Sequence, residues 1–471
     1  LARQSVKLLL DGKEKMTRRL RRSFLLFVGT VSNFGLGFAM SEQLYRRIFD
    51  QLDQLILIDP HTHIDPRKPA SQSLADILGY HYYTELAHSA GLSREWIEAS
   101  NVDPKERVSR LVSGLASIDN TIQFSWLLEV AERLFDVAIE RLDESNWEIL
   151  FDAAQSKLDQ PDWEEQVLRR SKIESVFLTN DFDDSLEGFD NRRYIPCLRT
   201  DELVFHLCRT QVIERLQACS GIGIQQLADL RSAIDQRFSH FIARGAKACA
   251  ISLPPWFVPV PVSDGAAEKA LSTLLTLNES APQEDQELLG YWVFWELALK
   301  CRQYQLPFDL MIGVNRRVYP AGVFQGQDLY DSRVSLIQYS ELFNSFPDVR
   351  FPVSVLASVT GQELASYAWI FPNVICHGHW WYSNTPSFIA KDLAARMEAV
   401  PRNKIIGYYS DMYKLEFALP KFAMFKRCLA DLLTSHFIIG LRWSEQRAID
   451  LGSQILRGNV ERIFDCAPCG D

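Results

Sequence analysis

The sequence predicts an α/β fold, a (β/α)8 or TIM barrel with a helical insertion after its first strand. Three observations predict it. Eight short apolar runs, rich in β-branched residues, recur along the 471 residues as buried parallel strands do. Stretches of helical period lie between several of them, and strands alternating with helices argue for a parallel sheet. Residues 66–172, finally, form an interval far too long for one helical crossover, so they read as several helices packed over the barrel mouth.

The runs follow in order. An amphipathic stretch from Tyr45 to Leu55 leads into Leu55-Ile56-Leu57-Ile58-Asp59, the first strand, with His61 and His63 just beyond it. The insertion carries Trp96, Trp126, Trp147 and Trp163. Further strands are expected at Ser175 to Leu178, Tyr194 to Leu198, Ala246 to Ile251, Phe308 to Ile312, Val349 to Leu356, Val374 to Cys376 and Ile405 to Tyr409. The clearest helix, Ile224 to Arg244, places Leu227, Leu230, Ile234, Phe238 and Phe241 on one face, and Gly245 stops it. Leu253 to Gly265, with four prolines, reads as an irregular loop on the mouth side.

Composition narrows the function. Hydrophobic residues make up 47% and charged residues 23%, which supports an ordinary globular core and excludes disorder as the default. A net charge of -10 leaves no basic stripe for a phosphate backbone, so a small-molecule partner is expected, neither nucleic acid nor membrane, with a homo-oligomer as an open option. Nine cysteines lie scattered from Cys197 to Cys469 without the even spacing of a disulfide scaffold, and they read as reduced thiols in a cytoplasmic protein. Cys466 and Cys469 have metal or redox spacing but no partner pair, so a frayed tail is the expectation. Arg18, Arg19, Arg21 and Arg22 precede an apolar run and resemble a twin-arginine export signal. The alternative, which is preferred, is a non-native extension over residues 1–39 ahead of the barrel domain at 40–471. Export would hold only if residues 16–40 are native.

The chemistry gathers at strand ends. In Asp59-Pro60-His61-Thr62-His63 the histidines are two residues apart, so in extended backbone both point to one face, the barrel interior. Imidazole suits zinc and similar divalent metals, and active sites of this fold stand at the carboxyl ends of the strands. A chance pair on a loop is the bland alternative. Ile405 to Ser410 ends in Asp411, which a metal would compensate and which could also accept a proton; alone it would pass for a helix cap. Cys376-His377-Gly378-His379-Trp380-Trp381 offers a second same-face histidine pair and an aromatic wall, where substrate contact or simple packing is expected ahead of a second metal site. Arg199, Arg316 and Arg317 stand where carboxylate recognition would need them, with surface salt bridging as the alternative.

Taken together, these residues resemble the uronate isomerases, a branch of the amidohydrolase superfamily, from about residue 50 to 465. The matching pieces are Asp59 to His63, Gly79-Tyr80-His81-Tyr82, Leu178 to Asp184, Pro196 to Asp201, Met311-Ile312-Gly313, Trp380-Trp381 and Ser410-Asp411. The resemblance implies a (β/α)8 barrel with one divalent metal, usually zinc, that interconverts hexuronates and their keto forms, such as glucuronate with fructuronate and galacturonate with tagaturonate. It implies His61, His63 and Asp411 as metal ligands and Arg199 as the substrate-carboxylate residue. His81 would lie near the sugar, and Trp380 and Trp381 would line the pocket; Arg316, His377 and His379, by their own places at strand ends and not by the resemblance, are expected as further substrate contacts. Proton transfer would fall to Asp411 or a metal-bound hydroxide, with His81 or Tyr413 as supporting acid.

Three positions depart from the family pattern. Met311 stands for its usual histidine, Ser252-Leu253-Pro254 for Asp-His-Gly, and Tyr413 for an arginine whose charge Lys414 could supply after a one-residue insertion. Two other readings therefore stay open. One is a metal-dependent hydrolase of a small amide, ester or lactone, and the other an inactive sugar-acid binding homologue.

Overall fold

The computed structural model describes residues 41–466. The signal-like or extension reading of residues 1–39 lies outside them, as does Cys469. Eight parallel strands are laid down in chain order: Leu57–Asp59, Ile173–Phe177, Tyr194–Ile195 continued by Cys197–Arg199, Ala248–Leu253, Phe308–Ile312, Phe351–Val355, Val374–His377 and Ile405–Ile406. Each expected apolar run overlaps one of them. Pairing passes from each strand to the next, as in Ile58 beside Ser175 and Val353 beside Leu310. The third strand is split at Pro196, which has no N–H to give to a ladder. Its first half pairs with Val176 and Phe177, and its second half pairs with Asn180–Asp181 and Ala248–Leu253.

The eighth and first strands meet just past their ends. The Asp411 N–H donates to the His61 carbonyl at 3.2 Å, and the His63 N–H donates to the Met412 carbonyl at 2.8 Å. The Asp59 carboxylate accepts from the Ser410 N–H at 3.0 Å across the same seam. These bonds hold His61, His63 and Asp411 against one another at the mouth.

The opposite end is plugged by the chain terminus. Helix Asn459–Phe464 sends Val460, Ile463 and Phe464 into a cluster with Ile58, Phe177, Ile195, Cys197, Ala248, Ile375 and Ile406. Lys247, at the start of the fourth strand, donates to the Asp465 carbonyl at 2.7 Å. Cys466 joins this cluster and is buried, so it is core and not frayed tail, because the helix carries it under the barrel. Phe464 is 1% exposed. Phe464→Ala is expected to cost about 3–5 kcal/mol in urea unfolding.

Seven helices lie between the first and second strands, from Leu74–Leu78 to Trp163–Ser171. Tyr80, at the N-terminus of His81–Ser89, donates its hydroxyl to the Asp411 carbonyl at 3.0 Å and so ties these helices to the seam. Among the described residues no helix is long and apolar enough to cross a membrane.

Candidate active site and metal centre

The His61 and His63 rings meet edge to face with centroids 5.2 Å apart. Their Nε2 atoms lie 3.6 and 3.3 Å from Asp411 Oδ1, and one ligand atom from each of the three residues falls within 4.8 Å of the others. A tetrahedral zinc with bonds of about 2.0–2.2 Å sets its donors roughly 3.3–3.5 Å apart, so the spacing fits one metal ion. The satisfaction of polar atoms agrees. His61 Nε2 and Asp411 Oδ1 are both buried without a hydrogen-bond partner among the described residues, which is costly unless something else binds them. Asp411 adopts φ +54°, a left-handed conformation held by the seam bonds and found where a side chain must be aimed.

The surroundings set the state of the ligands. The Thr179 hydroxyl donates to the Thr62 carbonyl at 3.1 Å, so it accepts from His63 Nδ1–H at 2.9 Å and leaves the Nε2 lone pair facing Asp411. Asp309 lies deeper, 3.1 Å from His377 Nδ1 and 3.9 Å from His61 Nδ1. Burial would raise the Asp411 carboxyl, but the two imidazoles outweigh it and hold the group well below the usual carboxylate range. His61 is pushed up despite burial by Asp411 and Asp309, whereas burial prevails at His63 and pushes it down. Burial also raises Asp59 to about 6.

A cavity of about 170 Å³ sits over the triad, lined by His81, Thr179, Arg199, Arg316, Trp380, Trp381 and Tyr413 among others. His81 opens its helix and its Nδ1 is 2.7 Å from Glu85 Oε1, one turn on, so the other ring nitrogen is free for a ligand. Arg199 Nε donates to Asp201 at 3.1 Å. Its terminal nitrogens have no protein partner among the described residues. Tyr413 stacks on His63 at 4.9 Å and accepts from Gln325 Nε2 at 3.0 Å; burial raises its hydroxyl, so it stays a protonated phenol. Arg316 donates to Asp328 at 2.6 Å and to the Ser252 hydroxyl at 3.3 Å. Met311 lines the floor as an apolar surface.

Three expected substrate contacts are corrected. His377 and His379 do not line the cavity and do not share a face, because Gly378 takes φ +48° and breaks the extended alternation. A Cβ at Gly378 would lie 2.1 Å from the Tyr409 ring, so only glycine permits this turn. His377 faces Asp309 inside the barrel, and His379 is buried toward Phe425, 6.2 Å between rings, where burial pushes its pKa well down. Lys414 turns away as well, donating to the Lys68 and Ala70 carbonyls at 2.9 and 3.4 Å. No insertion brings its charge to the site.

Sequence reasoning missed Asp309, Thr179, Glu85, Gln325, Asp328 and Lys421. A carboxylate inside the apolar run Phe308 to Ile312 was a usable signal, since a buried acid needs a partner; Glu85, four residues after His81, was another. Lys421 is fully buried, donating to the Tyr80 hydroxyl at 2.8 Å and the Ser410 carbonyl at 2.7 Å beneath the seam. Burial lowers it from 10.5 to about 7, against the pull of Asp411 and Asp59. Between those values the unfolded chain binds more protons than the folded one, so stability rises with pH there. The stability of the protein relative to Lys421→Met is therefore expected to be flat below pH 7 and to climb above it, in urea titrations from pH 6 to 9. A difference independent of pH would contradict this.

The glucuronate isomerase family profile matches residues 30–455. A uronate isomerase of Thermotoga sp. is 22% identical over 429 residues, covering 85% of this chain and 92% of that protein. One from Streptococcus equi subsp. zooepidemicus is 24% identical over 285 residues, 57% of this chain; the match spans 60% of the streptococcal protein's length. The crystal structure of glucuronate isomerase from Caulobacter crescentus superposes with a TM-score of 0.83 at 19% identity, covering 92% of this chain and 95% of that one. At that identity the likeness establishes the fold alone.

Proposed function

We propose, on the premise that the chain belongs to the glucuronate isomerase family, that it interconverts hexuronates and their 2-keto isomers. Glucuronate with fructuronate and galacturonate with tagaturonate are the expected pairs. The observation that carries this reading is the convergence of His61, His63 and the partnerless Asp411 Oδ1 beneath a sugar-sized cavity that also holds His81 and Arg199. His61, His63 and Asp411 would hold one divalent cation, zinc being the reading the donor set favours. When bound, it supplies positive charge to the oxygens on which negative charge builds.

The chain's own residues do the rest. Arg199, steadied by Asp201, offers two free donors to the substrate carboxylate in fork geometry. Asp411, the carboxylate of the triad, accepts the proton from carbon 2 and returns it to carbon 1. His81, oriented by Glu85, gives a proton to the carbon-1 oxygen as the first transfer occurs and recovers one from the carbon-2 oxygen in the second. The Tyr413 phenol, held by Gln325, donates a hydrogen bond to the developing enediol. Trp380 and Trp381 wall off water, and Arg316 fixes the far rim through Asp328. The partner is a small sugar acid, in a cytoplasmic setting consistent with eight described cysteines that are all free.

The test is ketose formation from glucuronate and galacturonate by the metal-loaded protein, run beside sugar-acid lactones and amides. Turnover of a uronate without hydrolysis is expected. Hydrolysis without isomerisation would replace this reading with that of a hydrolase.

A further inference from the structure

The cavity over the metal triad is bordered by a second, larger one. Arg199, Asp201, Ser252, Arg316, Gln325 and Asp328 line both that cavity and this second chamber of about 1040 Å³, so the two spaces adjoin along these side chains. The inner cavity, at about 170 Å³, suits a single sugar; the outer one is at the upper end of small-molecule sites, about 300–1,000 Å³. A free hexuronate would leave it unused.

The outer wall carries aromatic side chains that the isomerisation chemistry does not use. The proline-rich loop after the fourth strand brings Trp256, 59% exposed, and the loop after the fifth strand brings Phe324, 74% exposed. Large aromatic faces left open on a chamber wall suit the apolar faces of a sugar ring. Gln283, Gln286 and Gln327 spend their amide N–H groups on Glu287, the Ala281 carbonyl and the Pro320 and Gly322 carbonyls, which leaves their side-chain oxygens as acceptors for hydroxyls. Beyond the shared rim the charges balance, with Arg94, Arg209 and Arg317 against Asp181, Glu202 and Glu287. A second anionic sugar would find no excess of positive charge there.

We infer that this chamber is a subsite for an uncharged glycosyl residue linked to the hexuronate, so that the preferred substrate is a disaccharide with the uronate at its reducing end. This rests on the isomerase reading. Carbon 1 must be free as the aldehyde, carbon 2 loses its hydrogen and carbon 6 is the carboxylate on Arg199. The carbon-5 oxygen closes the pyranose ring of the free sugar, so the link falls at carbon 3 or carbon 4, and the reaction leaves the glycosidic bond intact.

The experiment compares glucuronate, glucuronate bearing a neutral hexosyl group at carbon 4, and the corresponding diuronide. Both turnover and calorimetric binding are read, for the metal-loaded protein and for Trp256→Ala/Phe324→Ala. The neutral disaccharide is expected to show kcat/KM and affinity at least about 10-fold above glucuronate, worth roughly one aromatic contact or more. The double variant is expected to erase that gain and leave glucuronate unchanged. Equal values for the two sugars, a preference for the diuronide, or equal losses on both sugars in the variant would overturn the subsite. Binding separates the two ideas: tight, Trp256-dependent binding of the disaccharide without ketose formation would uphold the subsite while refuting isomerisation.

Discussion

Replacing His61 and His63 together with alanine is expected to remove the bound metal and to lower uronate turnover by at least about 10³-fold. Charge stabilisation by a catalytic metal is worth several kcal/mol, and each 1.4 kcal/mol is a factor of ten. Both Nε2 atoms lie within 3.6 Å of Asp411 Oδ1, so losing them removes two of three donors at once. The buried Asp411 carboxylate then loses both the metal and the imidazoles beside it, which is destabilising. Circular dichroism and unfolding curves accompany the activity assay for that reason. Metal retained at one equivalent in this variant, by elemental analysis, would contradict the ligand assignment.

Arg199→Met is expected to lower kcat/KM for glucuronate by roughly 10²-fold or more, since losing a charged hydrogen-bonding partner costs about 2–5 kcal/mol. The loss is specific to the carboxylate. A neutral aldose, turned over weakly by the parent protein, should be affected far less, so discrimination between acid and neutral sugar collapses. Arg199→Lys keeps the charge but loses the planar fork, and an intermediate effect is expected. An equal loss on acid and neutral sugars in steady-state kinetics would move the carboxylate contact elsewhere, with Arg316 the next residue to test.

Most of the barrel was legible because parallel strands are buried on both faces and read as plain apolar runs. The run from Phe308 to Ile312 shows where that fails: Asp309 was absorbed into a strand whose pattern it interrupts, although it lies against His377 and His61 inside the barrel. His61 and His63 obeyed the alternation of extended backbone and meet at Asp411. His377 and His379 have the same spacing, but the left-handed turn at Gly378 separates them. A glycine between two ligand-type residues was the available warning. Gln325 and Asp328 lie on a long loop, and their arrival at Tyr413 and Arg316 depends on tertiary closure that no local pattern encodes.

The most direct test of the account is ketose formation from glucuronate and galacturonate by the purified protein, followed through removal of metal by a chelator and its return as zinc. Turnover that falls away on chelation and comes back at one equivalent of metal is the expected result. One equivalent of bound metal with no ketose from either uronate, or ketose formation that persists in the chelated protein, would contradict it.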